Sequence, residues 1–145
     1  MVLQKKTIIL IEGPNLNKIE SRDSIYKSDK KLADIIKMIN SSFNIEYFQS
    51  NIEGEIIDKI LTLIDSDIVG LIINPAAYTH YSIAISDALE MLDIIKVEVH
   101  LTNLYKREQF RQVSVTAKNC DTIISGATNY GYFLASEYIK FNLNN

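Results

Sequence analysis

Histidine is scarce in this sequence, and both copies stand just past apolar runs: INPAAYTH ends at His80 and IKVEVH at His100. A third stretch, RDSIY, sets Arg22 four positions ahead of Tyr26. Imidazole titrates near neutral pH and suits general acid–base work. A phenol suits it poorly, because its pKa in water is about 10. An adjacent guanidinium, however, favours the phenolate. Proton transfer, with histidine as one carrier and tyrosine as a second, is the chemistry these side chains offer. A solvated surface loop is the plain alternative for Arg22–Tyr26.

Other chemistries lack their residues. There is no GxGxxG or GxxxxGK[ST] to cradle a nucleotide phosphate, and no GxSxG elbow for a serine hydrolase. Two histidines on separate loops, with no nearby cysteine or HExxH pair, fall short of a metal-ligand set, so no metal is expected. A net charge of -3 and a pI near 5.4 leave no basic footprint for nucleic acid. The lone Cys120 forms no internal disulfide, which fits a reducing cytoplasm. It reads as a small buried hydrophobe ahead of a reactive thiol. The start MVLQKKTIILIEG carries an apolar run too short to span a bilayer and no cleavage site, so no membrane partner is expected.

Proton carriers this far apart in sequence need a framework to bring them together. The length of 145 residues, 47% of them apolar, suits one domain with one core, 1–145. Ile- and Val-rich runs predict strands at Thr7–Ile11, Ile45–Gln49, Ile68–Ile73, Ile95–His100 and Thr122–Ser125, several without alternation, as in strands covered on both faces. Helical stripes run through Ser28–Ile39, Glu53–Ile64 and Ser82–Leu92. A short charged helix is expected at Asn103–Phe110 and a well-buried one at Tyr130–Phe141. Strand–helix alternation predicts parallel pairing with right-handed crossovers. The expected fold is α/β, a three-layer, flavodoxin-like, doubly wound five-stranded parallel sheet whose ligand site lies beyond the carboxyl ends of its strands.

Polar clusters sit at those ends: Glu12–Asn17 after the first strand, Asn74–His80 after the third and Glu98–Asn103 around the end of the fourth. Turn geometry alone explains Asn, Gly and Pro in any one loop. Three such clusters on one edge, holding both histidines, point to a polar ligand pocket.

Together these stretches resemble type II 3-dehydroquinate dehydratase, an enzyme of the shikimate pathway. The matching segments are EGPNLN (Glu12–Asn17), FQSNIEGEII (Phe48–Ile57), IINPAAYTHYSIAISDAL (Ile72–Leu89), VEVHLTNLYKREQFR (Val97–Arg111) and ISGATNYGYFLA (Ile124–Ala135). The resemblance implies the flavodoxin-like fold, a homo-dodecamer built from four trimers, and cofactor-free anti elimination of water from 3-dehydroquinate through an enolate. It assigns Tyr26 as the base, Arg22 as partner of its phenolate, Asn15 as hydrogen-bond donor to the enolate oxygen through a water, and His100 as the acid that protonates the departing hydroxyl. Glu98, two positions earlier on the same strand face, would orient His100. Backbone N–H groups of Leu101 and Thr102, just ahead of the expected helix, would hold a carboxylate. Asn74, His80 and Arg111 match contacts to the substrate ring, and Asp87 matches an aspartate that reaches a neighbouring subunit's site. Each of these also has a structural reading: Asn74 in a turn, His80 as a helix cap, Arg111 and Asp87 as solvated surface charges, His100 as a core histidine.

The loop after the first strand departs from the family pattern L-G-x-R-E-P-x-x-Y-G. Arginine and tyrosine are one position closer, the proline is absent, Glu20 stands where glycine is expected, and Lys27 follows the tyrosine. Lys27 is therefore a candidate substitute cation. Glu12, in place of the more usual Asn or Gln, would add negative charge near the mouth of the site. These departures give ground to a second reading, a weak or inactive relative that binds a cyclic polyol acid or serves as a scaffold. A flavodoxin-like cofactor or signalling module is a third, disfavoured by the missing phosphate loop.

Overall fold

Apolar runs with no polar break are stable only where both faces of a sheet are covered. The computed structural model, which describes residues 3–144, builds such a sheet from β1 (Thr7–Glu12), β2 (Asn44–Gln49), β3 (Ile68–Asn74), β4 (Ile95–His100) and β5 (Thr122–Ser125). All neighbours pair in parallel, in the order β2-β1-β3-β4-β5. This is the flavodoxin-like order, with its crossover point between β1 and β3. Alternate residues face opposite layers. Ile8, Leu10, Ile72, Val97 and Val99 pack under α1 (Leu32–Ile39) and α4 (Tyr130–Leu143). Ile9, Ile11, Leu71 and Ile73 pack under α2 (Glu53–Leu61) and α3 (Ile83–Glu90). Each such Ile or Leu, fully withdrawn from water, contributes roughly 1.5–3 kcal/mol.

Three details of this framework position the loops. The β1 and β3 ends are level, with Ile11 beside Ile73 and Glu12 beside Asn74. The chain then crosses closely: Gly13 N–H donates to the Asn74 carbonyl at 2.8 Å, and a Cβ at Gly13 would lie 2.4 Å from the Pro75 carbonyl oxygen. Ser82 caps α3 by accepting from the Ile85 N–H at 3.0 Å. So His80 does not cap that helix. Ser28, where helical periodicity begins, is not yet helical; its hydroxyl accepts from the Asn129 N–H at 2.9 Å and ties the first loop to the start of α4.

The sheet is followed by a helix after every strand but β4. The helix expected at Asn103–Phe110 is absent. Two separate 3-10 turns, Leu104–Lys106 and Gln109–Arg111, stand there, with Arg107 extended between them (φ -96, ψ 178). The cause is packing. Of the apolar residues in this stretch only Leu104 is buried, while Tyr105 and Phe110 face solvent, so no continuous stripe rewards a helix.

Candidate active site

On β4, Val97 and Val99 enter the core, which turns Glu98 and His100 to the other face of the sheet. Both are buried. His100 Nε2 lies 2.8 Å from Glu98 Oε2, and a carboxylate only accepts, so Nε2 carries the proton and Nδ1 is the nitrogen left for chemistry. Three hydroxyls crowd the same carboxylate. Ser114 donates at 2.8 Å and Thr79 at 3.1 Å to Oε2, and Thr116 donates to Oε1. Burial acts to raise the Glu98 carboxyl. The hydrogen bond and charge of His100, joined by the Thr116 and Ser114 hydroxyls, outweigh it and hold the carboxyl below its ordinary value.

Across the cleft the first loop folds into 3-10 turns at Leu16–Ser21 and Ser24–Tyr26, which bury Tyr26. Arg22 Nη2 donates to Tyr26 Oη at 2.8 Å, and its Cζ sits 4.0 Å from the ring centroid. The shortened Arg22–Tyr26 spacing therefore still brings the two groups together. A second guanidinium, Arg107, donates through Nη2 to the same oxygen at 2.5 Å and through Nη1 to Thr102 Oγ1 at 3.0 Å. Two charge-assisted donors on one phenol oxygen match the acceptor capacity of a phenolate. The expected substitute, Lys27, is exposed and takes no such place. Arg107 is the residue that sequence reading missed. Its signal was the pair Arg107 and Arg111 on the loop just after His100, two cations past a catalytic strand end.

One cleft collects most of the expected residues. Arg22, Tyr26, Asn74 and His80 line it from β1, β3 and their loops; His100, Leu101, Thr102 and Arg111 line it from β4 and beyond. Glu98 stands behind His100. Leu101 and Thr102 precede a 3-10 turn rather than an α-helix, so no helix dipole adds to their N–H groups. Arg111 is held by Glu108 Oε2 at 2.6 Å. His80 Nδ1 donates to the Val113 carbonyl at 2.7 Å, which leaves Nε2 as an acceptor. Burial lowers the His80 pKa, and the charges of His100, Arg111 and Arg107 add to this against the pull of Val113. Asn15 and Asp87 are not brought to the cleft within one chain. Asn15 is exposed in a left-handed conformation (φ 71), its N–H bound to Asn51 Oδ1 at 3.0 Å, and Asp87 is exposed on α3. Burial pushes the Cys120 thiol up to about 12, in keeping with a packing role.

Glu12 lies elsewhere than expected. It is not at the mouth but buried beneath the sheet end, where Tyr47 Oη donates to Oε1 at 2.6 Å and Tyr132 Oη to Oε2 at 2.5 Å. Burial raises its carboxyl, against the two tyrosine hydrogen bonds. Its side chain therefore adds no charge to the cleft entrance.

Comparison with known proteins finds relatives along nearly the whole chain. A family model described as dehydroquinase class II matches residues 6–140. The 3-dehydroquinate dehydratase of Thermotoga petrophila is 48% identical over 94% of this chain and 96% of its own length. That of Clostridium botulinum is 46% identical over 94% and 95%. The crystal structure of a type II dehydroquinase from Butyrivibrio crossotus superposes with a TM-score of 0.87 at 39% identity, covering 94% of this chain and 98% of that one. One from Propionibacterium acnes gives 0.88 at 33%, covering 94% and 97%. By sequence and by fold, the chain belongs to the class II dehydroquinase family.

Proposed function

We propose that this chain removes water from 3-dehydroquinate to give 3-dehydroshikimate, with Tyr26 and His100 as its two proton carriers. The observation that carries the division of labour is the phenol oxygen of Tyr26 under two guanidiniums, lining the same cleft as His100. In the first step the Tyr26 phenolate takes the proton from the carbon beside the ketone. The electron pair becomes an enolate, whose charge is met by Arg22. In the second step the enolate collapses, the carbon–oxygen bond breaks, and the leaving hydroxyl takes the Nδ1 proton of a doubly protonated His100 ring, whose Nε2–H stays with Glu98, to depart as water. Glu98 holds the ring for that transfer. Asn74, His80 and Arg111 grip the ring substituents, and Leu101 and Thr102 hold the carboxylate. The route needs no cofactor.

A homo-dodecamer of four trimers would complete the site, since it brings Asp87 of one subunit toward the cleft of another. The lone cysteine suits the cytoplasm. No helix of the described residues is long and apolar enough to cross a membrane. The inactive-relative reading rested on the altered loop, and the Arg22–Tyr26 hydrogen bond supports the active reading over it. The test is turnover of 3-dehydroquinate, followed by absorbance of the conjugated product. Wild-type protein should turn over, and His100→Ala should lose at least ~100-fold in kcat while remaining folded. Full activity in His100→Ala would overturn the assigned acid.

A further inference from the structure

Every donor in the chain behind Asn74 points the same way. The Ala76 N–H donates to Asn74 Oδ1 at 3.0 Å, which fixes the amide so that Nδ2 faces Tyr132. Asn74 Nδ2 donates to Tyr132 Oη at 3.0 Å, and Tyr132 Oη in turn donates to Glu12 Oε2 at 2.5 Å. From the other side Tyr47 donates to Oε1 at 2.6 Å. Glu12 is therefore the terminal acceptor of a line of hydrogen bonds that begins at the cleft wall, because Asn74 lines the cleft. One Nδ2 proton is spent on Tyr132. The other, and a lone pair of Oδ1, remain for a ligand.

Glu12 itself has no cation against it. Among the described residues its side chain meets Tyr47 from β2 and Tyr132 from α4, and forms no salt bridge. Burying a carboxylate with only neutral donors costs free energy that an apolar side chain at the same position would not. Nor does packing need the group. The strand residues before it, Ile8–Ile11, already fill both faces of β1. What the carboxylate supplies, and Leu or Met cannot, is an acceptor for Tyr132. Without one, the buried tyrosine hydroxyl turns to the nearest remaining polar group, the Asn74 amide, and competes for the orientation the cleft needs.

We propose that Glu12 is a positioning residue for substrate binding: through Tyr132 it holds the Asn74 amide in the single orientation that presents one N–H and one carbonyl lone pair to the ligand ring. This rests on the reading of the cleft as a 3-dehydroquinate site. Asn74 touches the ring throughout the reaction, so misorienting it weakens ground state and transition state alike. The cost falls on KM.

Steady-state kinetics with 3-dehydroquinate test this in Glu12→Leu, Glu12→Gln and Tyr132→Phe, the last keeping the packed ring if Glu12→Leu fails to fold. The expected result is a KM raised about tenfold in Glu12→Leu and Tyr132→Phe with kcat changed less than about threefold. Glu12→Gln, which keeps an acceptor, should recover most of the loss. In an Asn74→Ala background the Tyr132→Phe change should add little, because the two act through one amide. An unchanged KM in Tyr132→Phe, or a full additional tenfold in the double variant, overturns the proposal. If wild-type protein does not turn over 3-dehydroquinate at all, it is the functional reading that fails instead.

Discussion

The oxygen of Tyr26 accepts from Arg22 on its own loop and from Arg107 on the loop after β4, and the two contacts differ in reach. Both guanidiniums lie over the ring, at 4.0 Å and 5.0 Å from its centroid, and Arg107 alone forks between Tyr26 and Thr102. A fork cannot be reproduced by an ammonium. Arg107→Lys is therefore expected to lower kcat/KM by about tenfold or more, one lost charge-assisted hydrogen bond being worth roughly 1.5–3 kcal/mol. A rate equal to wild type would remove Arg107 from the machinery. On the other face of the cleft, Glu98 is held below its ordinary carboxyl value. The stability it lends is present above that ordinary value and is lost as pH falls through its depressed folded one. Thr116→Val deletes one of the donors. It should cost about 1.5–3 kcal/mol at neutral pH and, by letting the folded value rise, make the acid-side loss of stability smaller and complete at a higher pH, as measured by urea unfolding across pH. These contacts were only partly readable from sequence. Glu98, His100, Arg22 and Tyr26 lie within short motifs. Arg107 escaped because its partner Tyr26 is 81 positions away, a distance over which no local pattern operates. Glu12 escaped for the same reason: its tyrosine partners are 35 and 120 positions off, and a glutamate ending a strand reads as solvated.

Among the elements, β1 and β3 carry the burden of setting the cleft width. Their ends are level and joined through Gly13, whose missing side chain lets the first loop pass over Pro75. Gly13→Ala forces a methyl to within 2.4 Å of the Pro75 oxygen. The expected outcome is a loss of about 1–3 kcal/mol in unfolding free energy together with a raised KM, since Asn74 moves with Pro75. Stability lost with KM unchanged would show that the crossing matters for folding alone. The strands and α1, α2 and α3 were legible because a buried parallel strand and an amphipathic helix each leave a period in the sequence. Helix α4, expected to be well buried because apolar residues stand on several of its sides, instead leaves Tyr130, Leu134 and Phe141 exposed. The turns at Leu104–Lys106 and Gln109–Arg111 leave no period. Their shape follows from which side chain finds a partner: Asn103 Oδ1 accepts from the Tyr105 N–H at 3.1 Å and Arg111 pairs with Glu108. A charged octet with weak periodicity looks like a poor helix, and here it is not one.

For the molecule as a whole, two buried carboxylates pull stability in opposite directions with pH. Glu98 favours the fold above the ordinary carboxyl range. Glu12, whose folded value is raised, makes a contribution that is fully present below that range and is lost as pH rises through the raised value. Glu12→Gln should therefore be more stable than wild type at pH 8, with the advantage shrinking on acidification; urea unfolding at pH 8 and pH 5 checks the sign. Assembly belongs at this level too. Sedimentation should give a dodecamer, and a monomer at working concentration would count against any role for Asp87 across subunits. The catalytic expectations depend on a base and an acid on opposite sides of one ring, an arrangement that dictates which hydrogen leaves. With 3-dehydroquinate carrying deuterium stereospecifically at the carbon beside the ketone, mass spectrometry of the product reads that choice. The hydrogen anti to the departing hydroxyl should be lost; loss of the syn hydrogen would contradict the two-sided site.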